Sequence, residues 1–191
     1  MGATNLLVQQ LAASGASVTA INSGVPQNQI SDIAADIPGR ITNYNPDVVV
    51  ILIGVNDVRG VPTGPPPLET FRTNYATVVD TVKATLPNCR IMLVSILYAG
   101  EKWASVPPPA HFAGNTYDAT IDAWNNVIRY LAESRGCVYV DGRGASAIVE
   151  PTGNTPEPGA VSGFLTDDQV HQLILGQQVL SNKLRTYFTV A

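Results

Sequence analysis

The feature that most constrains the fold is a run of six branched apolar residues at positions 48–53, followed by Gly54, Asn56 and Asp57. A strand that is hydrophobic on both faces is typical of the middle of a parallel sheet that helices cover on both sides. Parallel α/β sheets bind ligands at the carboxyl ends of their strands, which makes the three residues after the run candidates for a site. Gly, Asn and Asp are also common in turns, so an ordinary loop start is the alternative.

Helical and strand patterns alternate along the rest of the chain without internal repeats. Apolar residues at helical spacing predict helices at residues 4–14, 30–37, 68–86, 117–136 and 167–187. The pair Pro38-Gly39 is predicted to close the second of them. Short apolar runs predict parallel strands at residues 17–22, 47–54, 90–97 and 137–141, flanked by helices on both faces. This order indicates a single α/β layered domain over residues 1–191.

Composition limits the class of protein. The 191 residues are 45% hydrophobic and 14% charged with a net charge of −4, which suits one domain with a sizeable core. No Lys/Arg run is present, which argues against nucleic acid or an anionic membrane as a partner. No apolar run reaches the roughly 18 residues of a membrane span, and no signal peptide opens the sequence. A soluble protein is expected, either cytoplasmic or secreted with its signal peptide removed.

Cysteine usage leaves the redox compartment open. Cys89 and Cys137 each open a predicted strand. We expect two buried, reduced thiols, with a disulfide between them as the alternative.

Long connections follow three of the predicted strands. Residues 58–67, 99–115 and 142–166 are rich in Pro and Gly, whereas the connections that enter strands are short. If all strands point the same way, the three long loops gather at one edge of the sheet around Gly54, Asn56 and Asp57. This arrangement predicts a walled pocket. The alternative is a set of tolerated surface insertions.

A second candidate feature is the pair Asp168 and His171 at the start of the last predicted helix. Residues three apart are neighbours on one helical face. A carboxylate beside an imidazole fixes its tautomer and favours its protonated form, as a general base in acyl transfer requires. The alternative is an ordinary first helical turn, where the helix dipole favours acidic residues, beside a surface histidine.

Together these motifs resemble those of the SGNH (GDSL-like) hydrolases. The matching motifs are GVND after an apolar strand, Asn-x-Gly-Val starting at Asn22, and Asp-x-x-His opening the last helix. The resemblance covers residues 5–184, and the middle of the chain is most similar to the carbohydrate-esterase branch. It implies a flavodoxin-like, three-layer α/β/α fold and hydrolysis of esters, often of short acyl groups on sugars. No cofactor or metal is expected.

The resemblance also implies roles for individual residues. His171 corresponds to the family's base and Asp168 to the acid that orients it. Asn56 corresponds to the side-chain donor to the oxyanion, and Gly54 lies in the same motif as a substrate-binding candidate. Gln27 aligns with the family's oxyanion glycine, where its backbone N–H can still donate but its larger side chain can obstruct close approach.

The chain departs from the family pattern at the nucleophile. The family begins with a central strand ending in Gly-Asp-Ser, whose serine attacks the substrate, and this triplet is absent here. We therefore expect an N-terminally truncated member that lacks the first strand, with an uncovered strand edge that favours homo-oligomers. Ser23 is the candidate replacement nucleophile and Ser95 a second one. A structural serine in a turn is the alternative.

Two functions remain open. One is an ester hydrolase acting on short-chain acyl esters, with O-acetylated carbohydrate as a candidate substrate. The other is a catalytically silent relative that binds an acyl or sugar ligand, or a partner. A Rossmann nucleotide-binding protein fits less well, because no Gly-rich turn of the right spacing links a strand to a helix.

Overall fold

Helices and strands alternate along the chain in the computed structural model, which describes residues 3–60, 65–97, 117–142 and 174–188. The helices are α1 (Ala3–Ala13), α2 (Ile30–Ala35), α3 (Ile37–Arg40), α4 (Val55–Arg59), α5 (Leu68–Thr85), α6 (Tyr117–Ser134) and α7 (Ile174–Arg185). The strands are β1 (Val48–Ile51), β2 (Arg90–Val94) and β3 (Val138–Val140), and Thr42–Tyr44 forms a 3-10 turn. The chain divides into two compact units, one with α1 and α7, the other with the sheet, α2 to α5 and most of α6. The single domain stays a prediction.

The described sheet is parallel, in the order β1-β2-β3. Val49 of β1 lies opposite Ile91 of β2, and Met92 of β2 opposite Val138 of β3. Beyond the last paired strand residue, the N–H of Ser95 donates to the carbonyl of Val140 at 3.0 Å. Parallel pairing of these three strands and the α/β class are as predicted.

The prediction that residues 48–53 form the central strand is wrong for the described sheet. β2 holds the central position, and its residues from Ile91 to Val94 are all buried. In the described part of the chain β1 has a neighbour on one side only, and Val50 and Leu52 remain 39% and 44% exposed. An apolar run indicates that a strand is favoured in a buried position. The strand's place in the sheet, however, depends on which other strands pair with it.

The strand predicted at residues 17–22 does not form. This segment is irregular, and Ile21 is 55% exposed. A strand is maintained by ladder hydrogen bonds to a neighbour, and the described sheet consists of β1, β2 and β3 alone. A short apolar run therefore predicted a strand where the described sheet supplies no neighbouring strand.

Two boundaries also differ from the prediction. The helix predicted at residues 30–37 breaks at Asp36, whose carboxylate accepts from the Gly39 N–H at 3.0 Å and so caps the new helix α3. Pro38 and Gly39 lie inside α3 rather than after it, because proline is tolerated in a first turn. The loop predicted at residues 58–67 also starts too early, since Val58 and Arg59 belong to α4.

Helices α5 and α6 supply much of the apolar core of the sheet-containing unit. The Phe71 ring lies 5.4 Å from that of Tyr75 and 4.4 Å from that of Trp124, which joins the two helices. α2 packs against α5. The fully buried apolar residues of α5 are Phe71, Tyr75, Val78, Val79 and Val82. Burying each such side chain contributes roughly 1.5–3 kcal/mol.

A buried amide ends the ladder at β2. Asn125 of α6 accepts from the Ile96 N–H at 2.7 Å and donates to the Ile96 carbonyl at 3.0 Å. Both backbone groups of Ile96 are thereby satisfied without a partner strand. The side chain of Ile96 is held in place, 1% exposed, beside the end of β1.

The other unit is built on α1 and α7. Gln10 joins them, because its Nε2 donates to Asn182 Oδ1 at 2.8 Å and its Oε1 accepts from the Ser181 hydroxyl at 2.9 Å. Both helices are as predicted, although the predicted start of the last helix at residues 167–173 lies outside the described residues. The buried apolar residues of this pair are Leu7, Leu11, Leu180 and Leu184.

Cys89 and Cys137 immediately precede β2 and β3, where the sequence places them. Both are free thiols and half-buried. Burial raises the pKa of each thiol above its ordinary value. The two thiols are free, but they are half-buried rather than buried as the sequence predicts.

Gly54→Ala is expected to lower the free energy of unfolding by about 3–5 kcal/mol, because it combines backbone strain with overpacking. A Cβ at position 54 would lie 2.7 Å from Ile96 Cδ1, at a φ of +124°. Gly136→Ala is the matched control, since its φ is +62° but no atom lies within 4 Å of the added Cβ. We expect the control to lose about 1–2 kcal/mol. Chemical denaturation measures both, and equal losses would contradict the packing argument.

Candidate active site

The candidate site begins where β1 ends. Gly54, with a φ of +124°, turns the chain directly into α4, and its carbonyl accepts from the Val58 N–H at 2.9 Å. Asn56 and Asp57 therefore lie in the first turn of a five-residue helix at the carboxyl end of a parallel strand. Gly54 itself is buried against Ile96, so in the described structure it shapes the turn that carries Asn56. Substrate binding by Gly54 stays a prediction.

Asn56 is held by one of its two amide hydrogens. Its Nδ2 donates to the Asn28 carbonyl at 3.1 Å, and the Gln29 Nε2 approaches the Asn56 carbonyl at 3.5 Å. Asn56 is half-buried, and no second acceptor for its amide lies among the described residues. A side-chain amide has two N–H donors, so one hydrogen can orient the group while the other points to a ligand.

The segment that receives Asn56 contains a strained turn. Pro26 and Gln27 are its central residues, and the Asn28 N–H donates to the Val25 carbonyl at 3.3 Å. Gln27 has a φ of +66°, a left-handed conformation that glycine adopts freely and other residues seldom adopt. A positive φ at the second central residue after proline is typical of a type II turn. Gln27 therefore has the backbone shape of a glycine while it carries an exposed side chain.

Asp57 is a buried carboxylate. It is 0% exposed, and its two oxygens accept from the Ile30 N–H at 3.0 and 3.1 Å. Burial raises its pKa to about 6, with a smaller rise from the charge of Asp32 and an opposing effect of the Ile30 hydrogen bond. Tyr75 is fully buried as well, and its hydroxyl has no partner among the described residues. Burial and then the charge of Asp57 raise the pKa of Tyr75.

Of the predicted catalytic residues, the structure describes Ser23 and Ser95 but not Asp168 and His171. Ser23 is half-buried in an irregular segment, and its carbonyl accepts from Arg40 Nη1 at 3.4 Å. Ser95 is 0% exposed, so its hydroxyl lies in the core rather than at a site. Asp168 and His171 lie outside the described residues. The expected position of His171 across a pocket from Asn56 therefore stays a prediction.

The structure brings Asn56 and the Gln27 turn together through the hydrogen bond to Asn28. Sequence reasoning named Asn56 and Gln27 but missed the contact of Asp57 with Ile30, and no local pattern links residues that are 27 apart in sequence. The available signal was the placement of a carboxylate directly after an apolar strand.

Among residues 3–60, 65–97, 117–142 and 174–188, no group of three or more His, Cys, Asp or Glu could hold a metal. In those same ranges, no helix is both long and apolar enough to cross a membrane.

The buried Asp57 predicts a pH-dependent stability difference between the wild type and Asp57→Asn. The folded-state pKa of about 6 lies above the ordinary 3.8, so the folded protein binds the proton more tightly than the unfolded chain. Binding of this proton to Asp57 stabilises the folded protein. The stabilisation is fully present below pH 4 and is lost as the pH rises through 6. It reaches about 3 kcal/mol, since each pKa unit corresponds to about 1.4 kcal/mol.

Denaturation of both proteins between pH 4 and 7 measures this difference. Groups that titrate in both proteins contribute equally to the two free energies of unfolding, so their effects cancel in the difference. Asp57→Asn should therefore gain stability relative to the wild type as the pH rises. A difference that stays constant over this range would show that Asp57 is not a buried group with a raised pKa.

Comparison with known proteins identifies the family. Residues 2–178 match the family model described as GDSL-like Lipase/Acylhydrolase. An acetylxylan esterase of Geobacillus stearothermophilus is 25% identical over 167 residues, which are 86% of this chain and 69% of that protein.

Solved structures show the same fold. The acetylxylan esterase structure from Geobacillus stearothermophilus has a TM-score of 0.79 at 22% identity, over 100% of this chain and 82% of that chain. An acetyl xylan esterase called AlAXEase has a TM-score of 0.76 at 26% identity, over 98% and 90% of the two chains. A lipase/acylhydrolase from Enterococcus faecalis has a TM-score of 0.76 at 20% identity, over 97% and 83%.

These likenesses confirm the SGNH-hydrolase fold and the similarity to the carbohydrate-esterase branch that the motifs predict. The matched family model spans nearly the whole sequence. This chain belongs to the GDSL-like lipase/acylhydrolase family.

Proposed function

We propose that this protein hydrolyses short-chain acyl esters, with O-acetylated carbohydrate as its substrate class. The observation that carries the proposal is the Asn56 amide, which Asn28 orients at the carboxyl end of β1 while a second amide hydrogen remains for a ligand. Membership of a family of lipases and acylhydrolases supports ester hydrolysis. Relatives named as acetylxylan esterases support an acetylated sugar as the substrate.

In this proposal Asn56 and the Gln27 turn bind the oxyanion. Ester hydrolysis develops negative charge on the carbonyl oxygen in the transition state, and preorganised N–H donors stabilise that charge. Asn56 supplies a side-chain N–H and the backbone at Gln27 supplies the second donor. The left-handed backbone of Gln27 supports the assignment, because the family has glycine at the aligned position.

The proton is moved by His171, with Asp168 as its orienting carboxylate. Ser23 is the proposed nucleophile: its Oγ attacks the acyl carbon, His171 takes the serine proton, and that proton then passes to the leaving alcohol. Water then attacks the acyl-enzyme with His171 again as base, which releases the acid and restores the serine. Ser23 belongs to the same compact unit as Asn56.

The second candidate function is that of a catalytically silent binding protein. One feature of the sequence favours it. These 191 residues contain no Gly-Asp-Ser triplet, the motif that carries the nucleophile in the family. In that case the Asn56 amide and the Gln27 turn would bind an acyl or sugar ligand without turnover.

Asn56→Ala is expected to lower kcat by about 10²- to 10³-fold with KM within about threefold, because an oxyanion donor acts mainly in the transition state. Initial rates with 4-nitrophenyl acetate and with acetylated xylo-oligosaccharides measure both constants. Asn43→Ala removes an exposed amide from the 3-10 turn and serves as the matched control. Unchanged kcat in Asn56→Ala would remove Asn56 from the oxyanion site.

Ser23→Ala and His171→Ala are each expected to abolish turnover of 4-nitrophenyl acetate, with losses on the order of 10⁶-fold as in other serine hydrolases. Ser31→Ala and His111→Ala change a serine and a histidine that have no proposed role and should retain activity. Activity that survives Ser23→Ala excludes Ser23 as nucleophile. A wild type that binds acetylated oligosaccharide without hydrolysing it supports the silent protein instead.

A further inference from the structure

We propose that Asp57 is a positioning residue that fixes the Asn56 amide relative to the turn at residues 25–28, and so sets the distance between the two oxyanion donors. The inference deepens the proposed function and rests on it for its effect on turnover. Asp57 has no proposed contact with substrate. Its effect passes through Asn56 and the segment that precedes α2.

Two hydrogen bonds attach α4 to the segment before α2, beside the longer contact of Gln29 Nε2 with the Asn56 carbonyl at 3.5 Å. Asn56 and Asp57 are adjacent on α4, and they bind residues two apart: Asn56 Nδ2 donates to the Asn28 carbonyl at 3.1 Å, and Asp57 accepts from the Ile30 N–H at 3.0 and 3.1 Å. A single hydrogen bond leaves the segment free to rotate about it. Two bonds on either side of Gln29 fix both the distance and the orientation of the segment relative to α4.

The Asp57 contact is suited to hold this geometry. A hydrogen bond to a charged acceptor is roughly twice as strong as one between neutral groups. The bond is fully buried, so water does not compete for the Ile30 N–H. Behind it, Gly54 packs on Ile96, which Asn125 holds by both backbone groups. The first turn of α4 is therefore fixed against the core. The hydrogen bond from the Ile30 N–H to Asp57 holds the segment that follows the turn at residues 25–28 in position relative to α4.

A second carboxylate at the same helix provides a natural control. Asp32 accepts from the Gln29 N–H at 2.7 Å, so it also satisfies a donor at the start of α2. This contact is local, between residues three apart, and Asp32 is exposed. Asp32 stabilises the helix end without touching α4, whereas Asp57 joins α4 to α2.

Loss of Asp57 should act on the transition state. Oxyanion donors must lie about 2.7–3.1 Å from the charged oxygen, and a misplacement of about 1 Å can lower the rate roughly 10²-fold. Because the donors act mainly in the transition state, kcat should fall while KM changes little.

The kinetic experiment compares Asp57→Ala, Asp57→Asn and Asp32→Asn on 4-nitrophenyl acetate, well below each variant's unfolding temperature. Asp57→Ala should lose about 10- to 100-fold in kcat with KM within about threefold. Asp57→Asn keeps an oxygen that accepts from Ile30 and should recover most of the loss. Asp32→Asn should keep kcat within about twofold, since its hydrogen bond does not reach α4. A similar kcat loss in Asp32→Asn would overturn the proposal.

A substrate-free measurement separates this inference from the proposed function. NMR reports the Asn56 side-chain amide resonances and the hydrogen exchange of the Ile30 N–H. Asp57→Ala should shift the Asn56 resonances and speed Ile30 exchange, and Asp32→Asn should leave the Asn56 resonances in place. If the wild type hydrolyses no ester, the proposed function fails and this measurement still decides the positioning.

The NMR result also covers a variant that does not fold. If Asp57→Ala is unfolded, Asp57→Asn is used alone, and faster Ile30 exchange is expected because the hydrogen bond loses its charge. Unchanged Asn56 resonances in folded Asp57→Ala, or unchanged Ile30 exchange in Asp57→Asn, would overturn the proposal.

Discussion

The close approach of Gly54 to Ile96 is the constraint on which the sheet-containing unit depends. A side chain at position 54 would overlap Ile96 and meet the ring of Phe71, so only a glycine lets β1 end against the core formed by α5 and α6. Asn125 of α6 fixes Ile96 from the other side through both of its backbone groups. One contact therefore connects the end of β1, the end of β2 and both large helices. It also fixes where α4 begins, and with it the positions of Asn56 and Asp57.

Features that work against stability are concentrated at this same end of the sheet. Asp57 is a buried carboxylate whose ionisation is disfavoured by its surroundings. Gln27 has a left-handed backbone without being glycine, and the Tyr75 hydroxyl is buried without a partner among the described residues. Buried charge and backbone strain are tolerated where the surrounding structure holds them, and they cluster at functional sites. Their coincidence with Asn56 is why the carboxyl end of β1 is the candidate site.

Much of the fold was predictable because periodicity reflects burial. The helical spacing of Phe71, Tyr75 and Val82 identified α5, and the run at residues 90–97 identified β2. Failures occurred where a segment's state depends on a partner. Residues 17–22 have the composition of a strand but no neighbouring strand in the described sheet. β1 was expected in the middle of the sheet, yet it lies at the edge of the described sheet and Val50 is 39% exposed. The break at Asp36 was missed because a carboxylate that caps a new helix resembles any other acid in a helical period.

The sequence by itself determined the α/β class, the parallel strands and the identity of the polar residues that follow β1, since these depend on local periodicity and on the chemistry of each side chain. It also named Asn56 and Gln27 through a motif. Only the tertiary structure decided what those residues contact. The bonds from Asn56 to Asn28 and from Ile30 to Asp57 join segments about 28 residues apart. The order of the strands, the burial of Asp57 and its raised pKa follow from such long-range packing, which no local pattern encodes.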